Sequence, residues 1–168
     1  MEMKSMSYSN LVTYEKFSPN KTVLNNKVNR KITIHHAAGR ISVESMGNMF
    51  ANPNTQASAN YGIGNDGRVA VYVDEKDRAW TSSNADNDNQ AVTIEVANDG
   101  GAPNWHVSDV ALNKLVELCV DICKRNGIKS LNYTGDSSGN LTRHDMFVST
   151  VCPRPISWKQ VPMDCRAS

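Results

Sequence analysis

The sequence predicts an α/β domain built on a single mixed central β-sheet flanked by helices. Three observations carry that expectation. The runs "KITIHH" (31–36) and "QAVTIEVAN" (90–98) are rich in β-branched residues and bounded by polar or turn-forming ones. Apolar residues recur at helical spacing through 109–126, and Asn65, Asp66 and Gly67 supply a tight turn between two strand-like runs. Strands interspersed with helices around one core describe a mixed α/β architecture. The 168 residues suit one domain, long enough to bury a substantial core without disulfides.

Residues 1–30 are polar and turn-rich, with Tyr8, Leu11, Tyr14 and Phe17 as scattered apolar anchors, and read as an arm packed on the domain. The domain proper is expected over 31–158, beginning with the strand "KITIHH". In "SVESMGNMFAN", Ser42 can cap a short helix with Glu44 and Ser45 in its first turn. "NYGIGNDGRVAVYVDE" reads as a hairpin and "QAVTIEVAN" as a further strand. Ser108 is a good N-cap, after which Leu112, Leu115, Val116, Cys119, Ile122 and Cys123 share one helical face; Gly127 is a plausible stop. The turn "TGDSSGN" leads into "LTRHDMFVSTVCPRP", where Pro153 and Pro155 end regular structure. Residues 159–168 read as a tail or the start of a linker.

Composition removes several functions. A formal net charge of +1 gives no reason to expect a nucleic-acid partner. No apolar run approaches the ~20 residues of a membrane-spanning helix, so no membrane insertion is expected. "MEMKSMSYSN" lacks the apolar stretch of a secretory signal, which suggests a soluble protein made in a cytoplasm and released by other means. Cys119, Cys123, Cys152 and Cys165 form no CxxC pair and no evenly spread framework, against a disulfide-stapled domain.

The residues that carry chemistry are few. His35 or His36 at a strand end, His144, and Cys152 eight positions later are of the types that zinc prefers. Their spacing alone is not specific, since a lone histidine at a strand end commonly packs, and a cysteine before proline is commonly just buried. Alternation sends His35 and His36 to opposite faces, so one of the pair is a ligand at most. A carboxylate such as Glu95 inside an apolar run is either a costly functional group or a solvated residue on a half-exposed strand.

Taken in order, "ITIHHAAG", "SANYGIGNDGRVAVYV", "AW" at 79–80, "VTIEVAN" and "RHDMFVSTVCP" resemble the type 2 zinc-dependent N-acetylmuramoyl-L-alanine amidases. That family includes phage endolysins, wall-recycling amidases and peptidoglycan-recognition proteins. The resemblance spans about 31–155, and "YEKFSPN" and "WHVSDVAL" look like endolysins of phages infecting Gram-positive, clostridial-type hosts. It implies the amidase fold, Zn2+ held by His35, His144 and Cys152, and hydrolysis of the amide between N-acetylmuramic acid and L-alanine of peptidoglycan. It further implies release to the wall by a holin, and it leaves open either a single-domain enzyme or a following wall-binding module of the kind many endolysins carry.

By the same resemblance Glu95 stands where many of these enzymes carry a catalytic glutamate. Thr150 stands where a lysine or threonine assists the oxyanion; a loop threonine capping backbone is the equal alternative. Asn60, Tyr61 and Trp80 are candidate substrate contacts, although Tyr61 also suits a packed strand and tryptophan commonly packs. Two positions depart from the family: Ala59 where some relatives have an assisting tyrosine, and Thr81 where histidine is frequent. A second reading is a binding module that kept the groove and lost hydrolysis; such proteins typically lack a zinc ligand, and here all three positions are filled, while a third is a bacterial or prophage autolysin with the same chemistry.

Overall fold

The structure, a computed structural model, describes residues 7–149. Thr150, Cys152, Pro153, Pro155 and Cys165 lie outside the described residues, as does the tail. Among the described residues no helix is long and apolar enough to cross a membrane.

The elements run β1 (Tyr14–Glu15), β2 (Lys21–Thr22), β3 (Lys31–His36), α1 (Val43–Ala51), β4 (Tyr61–Ile63), β5 (Val69–Val71), β6 (Arg78–Ala79), α2 (Ala85–Asp88), β7 (Ala91–Val96), α3 (Asp109–Asn126) and β8 (Leu141–Arg143). Six strands form one sheet in the order β1-β5-β4-β7-β3-β8, while β2 and β6 make a separate two-stranded ribbon. The sheet is mixed: β4, β7, β3 and β8 run parallel, and β5 is antiparallel to β4 through the hairpin turn. Gly67 in that turn has φ +84°, a conformation glycine adopts without steric cost. The N-terminal arm does more than cover the domain, because β1 pairs with β5 as an edge strand.

Strand alternation gives the sheet two unlike faces. On one, Ile32, Ile34, Val92, Ile94, Val96 and Leu141 meet Ala111, Leu115, Leu118, Cys119, Ile122 and Cys123 of α3 in a single buried cluster. Burial of each large aliphatic side chain there contributes about 1.5–3 kcal/mol. Cys119 and Cys123 are core residues, as their helical spacing predicts. Ser108 caps α3, its Oγ accepting from the Ala111 amide at 3.1 Å, and Gly127 ends the helix at φ +69°.

The opposite face carries Thr33, Thr93 and Thr142 in lateral register, and α1 covers only part of it. Val43, Met46 and Phe50 of α1 pack with Tyr72, Ala59 and Ala70 over the β4–β5 side. Gly62 permits this closure: a Cβ there would lie 2.6 Å from the Tyr72 ring. Ser42 caps α1 by accepting from the Ser45 amide at 3.1 Å.

Candidate active site

The polar face ends in a group of titratable residues at the carboxyl ends of parallel strands, where open α/β sheets form their crevices. His35 is next to last in β3 and stands in register with Glu95, next to last in β7. His144 immediately follows β8, so the pairing of Arg143 with Ile34 brings its ring beside His35. The two ring centroids are 4.2 Å apart with planes at 40°. Three segments distant in sequence thus converge because β3 sits between β7 and β8.

Burial dominates the electrostatics. His35 is 3 % exposed, and desolvation, reinforced by nearby His144 and His36, pushes its imidazole well below the usual range. His144 is lowered too, chiefly by burial. Both rings are therefore neutral at pH 7, with a nitrogen lone pair to offer. Burial pushes the Glu95 carboxyl up to about 7. Its Oε2 lies 4.0 Å from His35 Nδ1, beyond hydrogen-bond reach.

Nε2 of His35 and Nε2 of His144 are each buried without a hydrogen-bond partner among the described residues. Leaving two such nitrogens dry and unpaired costs about 1–3 kcal/mol apiece, so neighbouring orphans call for an occupant. A soft divalent cation fits: both atoms are neutral nitrogen donors on adjacent rings. Among the described residues no group of three His, Cys, Asp or Glu could hold a metal. Cys152, the third candidate by sequence, lies outside them.

Below the histidines a hydrogen-bonded layer fixes the floor. Thr33 and Thr142 hydroxyls meet at 2.9 Å, Asn87 Nδ2 donates to Thr33 Oγ1 at 2.9 Å, and Thr81 and Thr93 hydroxyls meet at 2.8 Å. His36 points to the other side, as alternation requires. Its Nδ1 is 3.0 Å from Asn98 Oδ1, and its ring packs 5.5 Å from that of Trp105. Asn98 also donates to the Trp105 carbonyl at 2.6 Å, which ties the two loops together.

Two expected substrate contacts are corrected. Asn60 is fully buried; its Nδ2 donates to the carbonyls of Val73 and Asp74, and its Oδ1 accepts from the Thr93 amide. Tyr61 is equally buried on the α3 side, where its hydroxyl donates to Glu75 and accepts from the Ser9 amide. Neither has surface to give a substrate, because both point into the interior from β4 and the residue before it. Trp80 is half-buried, its indole donating to Thr22 Oγ1 at 2.9 Å, and lines a cavity beyond the threonine layer. Sequence reading missed Tyr72, whose ring closes the wall over Gly62 beside Glu95, and it missed the threonine layer. Period-two threonines at 33 and 93 are the signal that could have found the layer.

The sequence pattern of the family described as N-acetylmuramoyl-L-alanine amidase matches residues 25–155. The chain belongs to that family. Solved structures of similar fold include a selenomethionine derivative of AmpD, 17% identical with TM-score 0.67, covering 92% of this chain and 94% of that one. The N-acetylmuramoyl-L-alanine amidase LysC from Clostridium intestinale is 15% identical with TM-score 0.67, covering 88% and 93%. A mutant endolysin from Bacillus subtilis is 15% identical with TM-score 0.61, covering 84% and 88%. Compared with curated protein sequences, the chain finds no significant match. The amidase therefore has the fold that the sequence predicts, and peptidoglycan is the substrate class of its family.

Proposed function

We propose that this amidase uses zinc, held by His35, His144 and Cys152, to cleave the bond between N-acetylmuramic acid and L-alanine, as a phage endolysin of a Gram-positive, clostridial-type host. The observation that supports the metal is the pair of buried, unpartnered Nε2 atoms on rings 4.2 Å apart. When bound, zinc supplies a Lewis acid that polarises the scissile carbonyl and makes water a nucleophile near neutral pH. Glu95, one strand over from His35, takes the proton of the attacking water and delivers it to the leaving amine. A carboxyl pushed up to about 7 suits both halves of that transfer. The Thr150 hydroxyl donates to the developing oxyanion. The neutral imidazoles stay unprotonated because their burial opposes charge.

The test incubates purified protein with cell walls and measures new L-alanine amino termini, with chelator and with zinc restored. Release that needs the metal supports the reading; new reducing sugar ends would sink it. Wall binding without release would support a non-catalytic binding module instead. Independently of activity, zinc should raise the thermal midpoint of the chelated protein. That shift should vanish in His35→Ala and His144→Ala, and its persistence in either would remove that histidine from the ligand set.

A further inference from the structure

The two histidines stand on unequal foundations. His35 belongs to β3, a strand of six residues paired with β7 along its whole length. His144 follows β8, which has three residues and stands at the end of the sheet among the described residues. A short ladder at an edge holds the adjoining side chain loosely, whereas a metal needs its donors fixed to within about 0.5 Å. A second tie lies one strand repeat, about 6.6 Å, below the rings. Thr33 precedes His35 by two residues and Thr142 precedes His144 by two. The threonines are in register, and their hydroxyls meet at 2.9 Å.

A hydroxyl pair has no direction of its own, because either oxygen can donate. Asn87 supplies one. Its Nδ2 donates to Thr33 Oγ1 at 2.9 Å, which turns the Thr33 proton towards Thr142, whose own proton faces the Ile32 carbonyl at 3.5 Å. Asn87 is itself immobilised: it is buried in α2, its backbone amide donates to Asn84 Oδ1 at 2.9 Å, and Nδ2 also approaches Asp88 Oδ1 at 3.4 Å. The Asp88 carboxylate is pinned by the amides of Thr81 and Ser82 and by Ser82 Oγ. That charge selects the orientation of the Asn87 amide, since a flip would set two oxygens against each other. The same orientation leaves Asn87 Oδ1 buried without a hydrogen-bond partner among the described residues. An asparagine kept only for stability would gain nothing by sacrificing an acceptor there.

We propose that Asn87 is a positioning residue for the candidate metal centre: through Thr33 and Thr142 it fixes the strand leading to His144 against the strand carrying His35. The assignment rests on the reading of these two histidines as metal ligands.

The test measures zinc affinity by competition with a chromophoric chelator, beside stability in urea. Cobalt serves as a second probe, because its visible absorption reports ligand geometry. Asn87→Ala and Thr142→Val should each weaken zinc about ten- to a hundredfold and alter the cobalt spectrum of the folded protein. Thr142→Ser keeps the hydroxyl and should retain wild-type affinity and spectrum. Combining Asn87→Ala with Thr142→Val should weaken zinc no further than either alone, because both break one chain of hydrogen bonds. Thr142→Val carries the test if Asn87→Ala does not fold. Wild-type affinity and spectrum in these variants, or an equal loss in Thr142→Ser, overturns the proposal. If the wild type binds neither metal, the ligand reading fails, and the nuclear Overhauser contact between the His35 and His144 rings of the metal-free protein decides the positioning. Its loss in Asn87→Ala or Thr142→Val supports the proposal, and its persistence overturns it.

Discussion

The two faces of one sheet share strands yet do opposite work. Along β7, Ile94 enters the aliphatic layer under α3, while its neighbour Glu95 emerges beside His35. On the apolar face, every large side chain gains from leaving water. On the polar face, burial opposes the charged forms of His35, His144 and Glu95. The first face finances the second, so stability and chemistry should separate residue by residue along a strand.

The sharpest way to break the comparison is to substitute adjacent residues. Glu95→Gln is expected to lower the rate of amide cleavage by about 10²-fold or more with no loss of folding stability. A denaturation midpoint well below that of wild type would instead make Glu95 a structural residue. Ile94→Ala, one position away, should cost about 2–5 kcal/mol in denaturant unfolding and leave activity per folded molecule close to normal at low temperature. Loss of rate without loss of stability there would dissolve the division between the faces.

The threonine layer tests how far the polar face supports itself. Thr33→Val keeps the shape but removes the partner of Thr142 and the acceptor for Asn87 Nδ2. A cost of about 1–3 kcal/mol is expected by chemical unfolding, and a neutral result would show that the layer carries no net stability.

The smallest effect concerns Lys27, outside both faces. Burial lowers its ammonium to about 8, although nearby carboxylates oppose the shift; its Nζ donates to the carbonyls of Asp77 and Ala91. The unfolded lysine titrates near 10.5, so between pH 8 and 10.5 the unfolded chain binds more protons than the folded one. Stability should therefore rise across that window relative to a Lys27→Met variant, as read from thermal midpoints. A flat difference would show that Lys27 titrates normally.

Much of this was legible in the sequence because it is local. Alternation in "KITIHH" and "VTIEVAN" gives strands and sends His35 and His36 apart; Ser108, Gly127 and the leucines between them give α3 its ends and its buried stripe. The chemistry of neutral nitrogen donors follows from residue type alone. What sequence did not determine is who meets whom. β1, β6 and β8 are too short to carry a period, so neither the arm's entry into the sheet nor the adjacency of β8 to β3 is visible in them. Asn60 and Tyr61 looked available because a strand's period does not say which face is covered; the packing of α3 and the hydrogen bonds to the 73–75 segment decided it. The meeting of His35 with His144, 109 residues apart in sequence, depends on pairing order. Local preference fixes each element, whereas contacts across the sheet are long-range and are settled only when all the elements pack at once.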